Sequence, residues 1–444
     1  MSRPAQPISE LYRAVWRWHF YAGLLVLPVL ILLAITGALY LFKDEVDGLI
    51  YRPLRTVEAR PYQLDPQDWR LSAEIGAGGR VVRLTAPEPG AGRAVEAVVE
   101  TPDDRRLSAF VDPHDGRYLG ATAYGGVNET IKRLHSLDLF GPVANLLVEL
   151  AAGWAIVLVA TGLYLWWPRG RRGGVVTVRG PPRRRLFWRD LHAVTGALAG
   201  GLIVFLAATG MPWSPVWGEG VQSLVAERGW GRPPAPAADA EPGHEGHTVP
   251  AAVPWALEDA AVHGGAHSTL NLDGAVRRAD AAGLPRPFTV SVPSESGRAW
   301  PVAHMPDRVE DTRTLYLDPA DGQVLADVRY GDFGPGARAI EWGISVHQGQ
   351  QFGRANQLLM LLACLAILAM SVTAVVMWWR RRPQGRLAAP PAPADPRAYL
   401  GLIGIIAPRG LFYPLVGASM VLALALDLGV RRLRLLHPAP ASPA

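Results

Sequence analysis

Four long apolar runs constrain this chain more than any other feature: residues 20–42, 145–167, 191–217 and 355–379, each with few or no formal charges. Every run has about 20 residues or more, enough for a helix to cross a bilayer core of roughly 30 Å. A helix on a soluble core keeps a polar face toward water and has no use for such runs. An α-helical membrane protein is the expectation, and the 49% hydrophobic content matters because it is concentrated in these blocks.

The net charge of +5 and isoelectric point near 9.5 raise the question of nucleic acid. Distribution answers it, because Lys43 and Lys132 are the only lysines and the arginines gather beside the apolar runs. Arg3, Arg13 and Arg17 precede the first run. Arg169, Arg171, Arg172, Arg179, Arg183, Arg184, Arg185 and Arg189 fill the link between the second and third, and Arg380, Arg381, Arg382 and Arg386 follow the fourth. Basic clusters beside spans mark the cytoplasmic side, so the pattern is membrane topology and no nucleic-acid partner is expected. The first run is too long for the apolar core of a signal peptide and no small-residue cleavage site follows it, so it is expected to remain as a helix. The N-terminus is then cytoplasmic, and residues 44–131 and 218–344 are folded domains outside. The single cysteine, Cys364, sits in the fourth run. The external domains therefore have no internal disulfide, and an iron–sulfur cluster would lack its thiolates. No Rossmann or P-loop glycine pattern supports NADH or FAD binding within the chain.

The chain also repeats itself. His19, Gly23, Thr36 and Gly37 reappear at one constant offset as His192, Gly196, Thr209 and Gly210. His135, Phe140, Gly141, Leu146, Leu147, Trp166 and Trp167 reappear without a gap as His347, Phe352, Gly353, Leu358, Leu359, Trp378 and Trp379. Between them, Val111-Asp112-Pro113-His114-Asp115-Gly116 matches Leu317-Asp318-Pro319-Ala320-Asp321-Gly322. Asp-Pro and Asp-Gly mark tight turns, which predicts strands over 107–111 and 117–119, and over 314–317 and 323–328. The fold class is thus two tandem repeats, each of helix, external α+β domain and helix, plus a C-terminal apolar segment. The expected layout is an N-terminus with the first helix (1–43), a domain (44–131), the second helix (132–168), an Arg-rich cytoplasmic loop (169–190) and the third helix (191–217). A second domain (218–344), the fourth helix (345–380), a cytoplasmic linker (381–410), a fifth apolar helix (411–430) and a disordered tail (431–444) complete it.

Parallel repeats pair about an axis along the bilayer normal, which brings four histidines together as two pairs. His19 and His192 stand at the cytoplasmic entrances of the first and third helices, His135 and His347 on the external approach to the second and fourth. Neutral imidazoles from facing helices suit both axial positions of a low-spin haem b. The candidate cofactor-binding residues, as ligands of haem iron, are therefore His19 with His192 and His135 with His347, for two haems. A mixed pairing or a single haem stays open. Gly23 and Gly196, four residues after their histidines, share the ligand face and leave space for a flat macrocycle. Arg13, Arg17 and Arg189 inside, and Arg133 outside, are candidates for the propionates. Trp166, Trp167, Trp378 and Trp379 read as an interfacial aromatic belt. His244 and His247 fall in a Pro/Ala/Gly-rich stretch, 232–250, read as a surface loop rather than a metal site. His263, His267 and His304 have no motif spacing.

These residues resemble the PepSY-associated transmembrane proteins, a family that includes bacterial inner-membrane reductases of iron–siderophore complexes. The resemblance covers about residues 10–385. It rests on Trp18-His19-Phe20-Tyr21-Ala22-Gly23 with Thr36-Gly37, on Arg133-Leu134-His135 with Phe140-Gly141, and on Thr161-Gly162-Leu163-Tyr164-Leu165-Trp166-Trp167-Pro168-Arg169. Asp190-Leu191-His192 with Gly196, and His347-Gln348-Gly349 with Phe352-Gly353, complete it. It implies a di-haem membrane core in the bacterial inner membrane, PepSY-like external domains in the periplasm or cell exterior, and a role in iron acquisition. The four histidines are the positions that match the family's haem ligands. Two departures stand out: Ala374 follows Thr373 where glycine follows the other three threonines, and a C-terminal extension holds a fifth apolar run, 411–426, that either crosses the membrane or folds back. The reading is a membrane oxidoreductase taking electrons from a cytoplasmic or quinol donor to an external acceptor, a ferric siderophore. Its alternative is a non-catalytic, membrane-anchored binding or regulatory protein.

Overall fold

The computed structural model describes residues 9–168, 174–236, 269–293, 298–382, 390, 393, 395 and 397–436. Arg3, Arg169, Arg171, Arg172, Arg386, His244, His247, His263, His267 and the tail from His437 lie outside the described residues. In chain order the helices are α1 (Glu10–Tyr40), α2 (Lys43–Ile50), α3 (Arg52–Arg55), α4 (Pro66–Ala77), α5 (Gly126–His135), α6 (Pro142–Trp166) and α7 (Arg185–Gly210). There follow α8 (Trp217–Glu227), α9 (Leu272–Ala281), α10 (Pro335–His347), α11 (Gly353–Arg381), α12 (Ala398–Phe412) and α13 (Pro414–Leu436). The strands are β1 (Arg80–Ala86), β2 (Val95–Glu100), β3 (Arg106–Val111), β4 (Tyr118–Ala123), β5 (Phe288–Ser291), β6 (Trp300–His304), β7 (Arg313–Leu317) and β8 (Val324–Arg329). The chain divides into a helical unit (Met1–Ala38, Leu134–Val221, Leu359–Ala444) and a sheet unit (Leu39–Arg133, Gln222–Leu358).

In the helical unit α1, α6, α7 and α11 are long and apolar enough to cross a membrane. Even α6, with 25 residues, spans about 38 Å, more than a bilayer core. Leu25 and Leu198 are 64% and 76% exposed, outward-facing apolar surface that suits lipid and not water. Inside, the Trp18 and Trp154 rings stack at 6.5 Å among buried Val15, Val26 and Val157. Gly200 lets α6 approach α7 closely, since a Cβ there would lie 3.0 Å from Val159.

Glu149, fully buried on α6, caps a helix: its Oε2 accepts from the Val216 and Trp217 backbone N–H groups at 2.9 and 3.2 Å. These donors open α8, so the carboxylate meets both the free N–H groups and the positive end of the helix dipole. Glu149→Gln removes the charge and turns one acceptor into a donor. A loss of about 1–3 kcal/mol is expected, read as a lower thermal midpoint in detergent; an unchanged midpoint would show that the capping contributes nothing.

The C-terminal segment is helical from Ala398, ahead of the expected 411, and is broken at Tyr413 because Pro414 cannot continue the preceding helix. α12 starts beside Leu11 at Gly401 and ends at Phe412 against Trp217. From there α13 runs back along α6, Val416 filling the space over Gly153 and Ser419 Oγ accepting from Trp154 Nε1 at 3.0 Å. Gly410 and Gly417 bring the two backbones together, and a side chain on either would collide. The expected run, 411–426, covers the corner of this helical hairpin and the first half of α13.

The sheet unit has eight antiparallel strands in the order β4-β3-β2-β1-β5-β6-β7-β8. Segments 44–131 and 218–344, read from sequence as two domains, contribute four strands each to this one sheet. They meet at the antiparallel β1–β5 pair, with Leu84 opposite Val290 and Thr85 opposite Thr289, whose hydroxyls are 3.0 Å apart. Alternate residues point to one face, so Val95, Ala97 and Val99 of β2, Val302 of β6 and Leu315 and Leu317 of β7 join Trp69 of α4 and Leu272 of α9 in one core. Burying each large side chain there stabilises the fold by about 1.5–3 kcal/mol. The turns at 112–116 and 318–322 have the same bonds. Asp112 N–H donates to Arg117 O and Asp318 N–H to Gln323 O, and each Asp side chain accepts from the backbone two residues on. Gly116 and Gly322 take φ of 73° and 71°, a region that favours glycine. The aspartates and glycines of both motifs are accounted for by turn geometry.

Candidate functional site

The four histidines sit at helix ends or close to them, and for two of them the chain breaks make it so. α5 ends at His135, and a left-handed Leu137 and a Gly141 at φ 92° redirect the chain before Pro142 opens α6. α10 ends at His347, and Gly349 and Gly353, at φ 75° and 59°, do the same before α11. Residues 132–168 and 345–380, read from sequence as single helices, are therefore each two helices with a corner after the histidine.

His19 of α1 and His192 of α7 come together, ring centroids 6.4 Å apart and ring planes at 89°. Their hydrogen bonds fix which nitrogen carries the proton. Thr161 Oγ1 donates its one proton to the Val157 carbonyl at 2.7 Å, so it accepts from His19 Nδ1–H at 2.9 Å. His192 Nδ1 is 3.1 Å from the Met370 carbonyl, which only accepts, and 2.9 Å from Thr373 Oγ1, so this nitrogen also carries hydrogen. Both Nε2 atoms are left with a lone pair. His135 follows the same rule: Thr36 Oγ1 donates to Leu32 O at 2.7 Å and accepts from His135 Nδ1–H at 2.9 Å.

Each threonine works with its neighbour. A Cβ on Gly37 would lie 3.3 Å from His135 Cε1, and one on Gly162 would lie 3.3 Å from His19 Cε1. In Thr36-Gly37 and Thr161-Gly162 the hydroxyl orients the ring while the glycine makes room for it. At Thr373 the following residue is Ala374, and the bond to His192 persists, with the Met370 carbonyl as a second acceptor. The threonines were visible as part of the repeat; their signal was a hydroxyl in matched register inside an apolar run, next to glycine in three of four copies.

Haem can be tested against these groups. A metal–imidazole bond is about 2 Å long, so two imidazoles on opposite sides of one iron have centroids roughly 6 Å apart. The 6.4 Å of His19 and His192, with Nδ1–H engaged by oxygen as in metal-ligating histidines, fits an axial pair. Among the described residues no group of three or more His, Cys, Asp or Glu is poised for a metal ion. His347 closes α10, half-buried in the sheet unit. A Cβ on Gly23 would meet only Leu158 at 3.9 Å, whereas one on Gly196 would lie 3.3 Å from the Met370 methyl.

The basic residues near the first pair divide. Arg189 binds buried Asp190 at 2.6 Å, as does Arg179 at 2.7 Å, and Arg13 binds Glu10 at 3.1 Å. Arg17 donates to the Pro390 carbonyl at 2.7 Å and lies over Tyr21. Arg381, noticed in the sequence only as a flanking charge, lies over Trp16 and Phe20 at 5.1 and 4.9 Å. Arg133 is exposed on α5, and Trp167 and Trp379 are 64% and 59% exposed. His304 lies 2.9 Å from the Pro287 carbonyl through Nδ1; since a carbonyl only accepts, this nitrogen donates, in a structural bond of the sheet unit.

A search of curated proteins found no match to this chain. The family model for the PepSY-associated TM region matches residues 16–381, from just before His19 to the end of α11, and includes all four histidines and their threonines. The chain belongs to the PepSY-associated TM family.

Proposed function

We propose that this chain is a haem-binding oxidoreductase of the bacterial inner membrane that passes electrons from a cytoplasmic or quinol donor to an external ferric siderophore. The observation that carries the reading is the His19–His192 pair: two Nδ1–H imidazoles from different helices, 6.4 Å apart, with both Nε2 lone pairs available. By sequence register alone, in which Thr209 is the counterpart of Thr36, His135 and His347 are the candidates for the second haem. Bound haem would supply one-electron transfer at iron. The protein's own part is to hold the imidazoles, fix their tautomers through Thr161, Thr373 and Thr36, and surround the site with apolar helices. From His19 to Thr36 α1 rises about 26 Å, which spans most of a bilayer core and sets the two sites at different depths. Reducing Fe(III) to Fe(II) weakens its hold on hard oxygen ligands, so a siderophore would release its iron intact. The resemblance to iron–siderophore reductases supports that acceptor.

The test is an absorption spectrum of the full chain, purified in detergent from cells supplied with haem, before and after dithionite. Sharp bands of low-spin haem b that are reoxidised by an added ferric siderophore are expected. A protein that stays colourless would sink the reading and leave a membrane-anchored binding module.

A further inference from the structure

The sheet unit contains a cavity of about 360 Å³. Asn128, Glu129 and Lys132 of α5 line one side, and Glu341, Ile344 and Ser345 of α10 the other. These are the helices whose last residues are His135 and His347. Glu341 is only 2% exposed. Among the described residues its one hydrogen-bonding partner is Arg232, which holds Oε1 at 2.7 Å and itself lies over the Phe333 ring at 4.5 Å. Asn128 Nδ2 donates to the Lys43 carbonyl at 2.9 Å and to Asp47 at 2.6 Å, and its buried Oδ1 is left with no partner among the described residues. Buried polar atoms are nearly always bonded, so an orphaned acceptor in a cavity wall marks a place for a donor brought by a ligand.

Resting on the electron-transfer reading above, we propose that Glu341 is the proton-exchanging group of the external acceptor site, and that this cavity receives the oxygen-donor end of a ferric chelate. The electron passes from the reduced cofactor, oxidised by one electron, to the acceptor's Fe(III), which becomes Fe(II). The chelate oxygen released from iron takes the proton of the Glu341 carboxyl. A ligand hydroxyl forms, the new carboxylate is stabilised by Arg232, and a proton from the external solution restores the acid. Without that proton the freed oxygen is an anion that rebinds iron.

Burial pushes the Glu341 carboxyl up to about 7, with Arg232 pulling the other way, so the acid is available near neutrality. Tyr330 lies close enough to feel the Glu341 charge and also feels Glu310 and Arg338, and Asp307, Lys132 and Glu129 share the cavity wall. Lys132 is held by Glu129 at 2.7 Å. Tyr316 of β7 faces Arg232, and burial raises its hydroxyl.

The experiment compares the dithionite-reduced wild type with Glu341→Gln and Glu341→Asp, reoxidised by ferric acetohydroxamate or by ferricyanide, which takes an electron without releasing a ligand. For ferric acetohydroxamate, E341Q should be slower by on the order of 10²-fold at neutral pH and lose the fall in rate above about pH 7, E341D should recover part of the rate, and ferricyanide rates should match wild type. Equal loss with both oxidants, or no loss with either, overturns the role of Glu341 while leaving the haem reading intact; absence of haem bands overturns both. Protein made without haem gives a second readout. Glu341 binds its proton more tightly when folded, so the stability it contributes, read as wild type minus E341Q, should be fully present below the ordinary value of 4.5 and be lost as pH rises from there through about 7. A wild-type profile identical to that of E341Q would overturn the proposal independently of activity.

Discussion

Replacing His192 with alanine is expected to remove one low-spin haem b signal and leave a second, lowering the haem content of the purified protein by about half in reduced-minus-oxidised spectra. The His19 and His192 rings lie with centroids 6.4 Å apart and come from different helices, so losing either leaves the proposed pair incomplete. His19→Ala should give the same spectrum, and the double variant should be no worse than either single one, because two ligands of one iron act as a unit. His135→Ala should remove the other signal. If His192→Ala retains the full wild-type spectrum, the pairing is wrong. If His19→Ala and His192→Ala remove different signals, each histidine serves a separate haem.

Thr161→Val is the second large effect. Valine keeps the shape but cannot accept from His19 Nδ1–H, which then lies buried without its 2.9 Å bond, at a cost of about 1–3 kcal/mol. The ring is also free to turn, and losing such an outer partner typically weakens a metal site 10- to 100-fold. We expect haem to be lost from Thr161→Val during purification or titrated back with weaker affinity, with Thr161→Ser close to wild type. Thr36→Val should act likewise on the His135 site. Thr373→Val should be milder, because the Met370 carbonyl remains 3.1 Å from His192 Nδ1. Equal haem retention in all three valine variants would mean that the threonines do not orient the ligands.

Much of this site was legible in the sequence because repetition separates meaning from composition. One histidine beside Trp18 reads as an ordinary interfacial residue; four in register with threonines and glycines single themselves out as candidates. Periodicity and charge also located the spans, since the length of a bilayer-crossing helix and the placement of arginines are local properties. The threonines escaped a functional reading because hydroxyls inside apolar helices commonly bond the preceding turn, as Thr36 and Thr161 also do. Only when a histidine from another helix arrives does the same oxygen become its acceptor. Glu341 was equally silent: neither its burial nor its pairing with Arg232, over a hundred residues away, leaves any mark in its neighbourhood.

By itself, then, the sequence determined the number and extent of the four apolar spans, the strand–turn–strand units at 112–116 and 318–322, and the histidines worth following. Each depends on spacing along the chain: apolar length, alternation, turn chemistry or register. The tertiary structure alone decided that β1 pairs with β5 to join two distant segments in one sheet, that Thr161 and Thr373 hold the rings of His19 and His192, and that the C-terminal helices double back on α6. Those contacts are made between residues far apart in the chain, where the closure of long loops is repaid only by side-chain packing that no local pattern encodes.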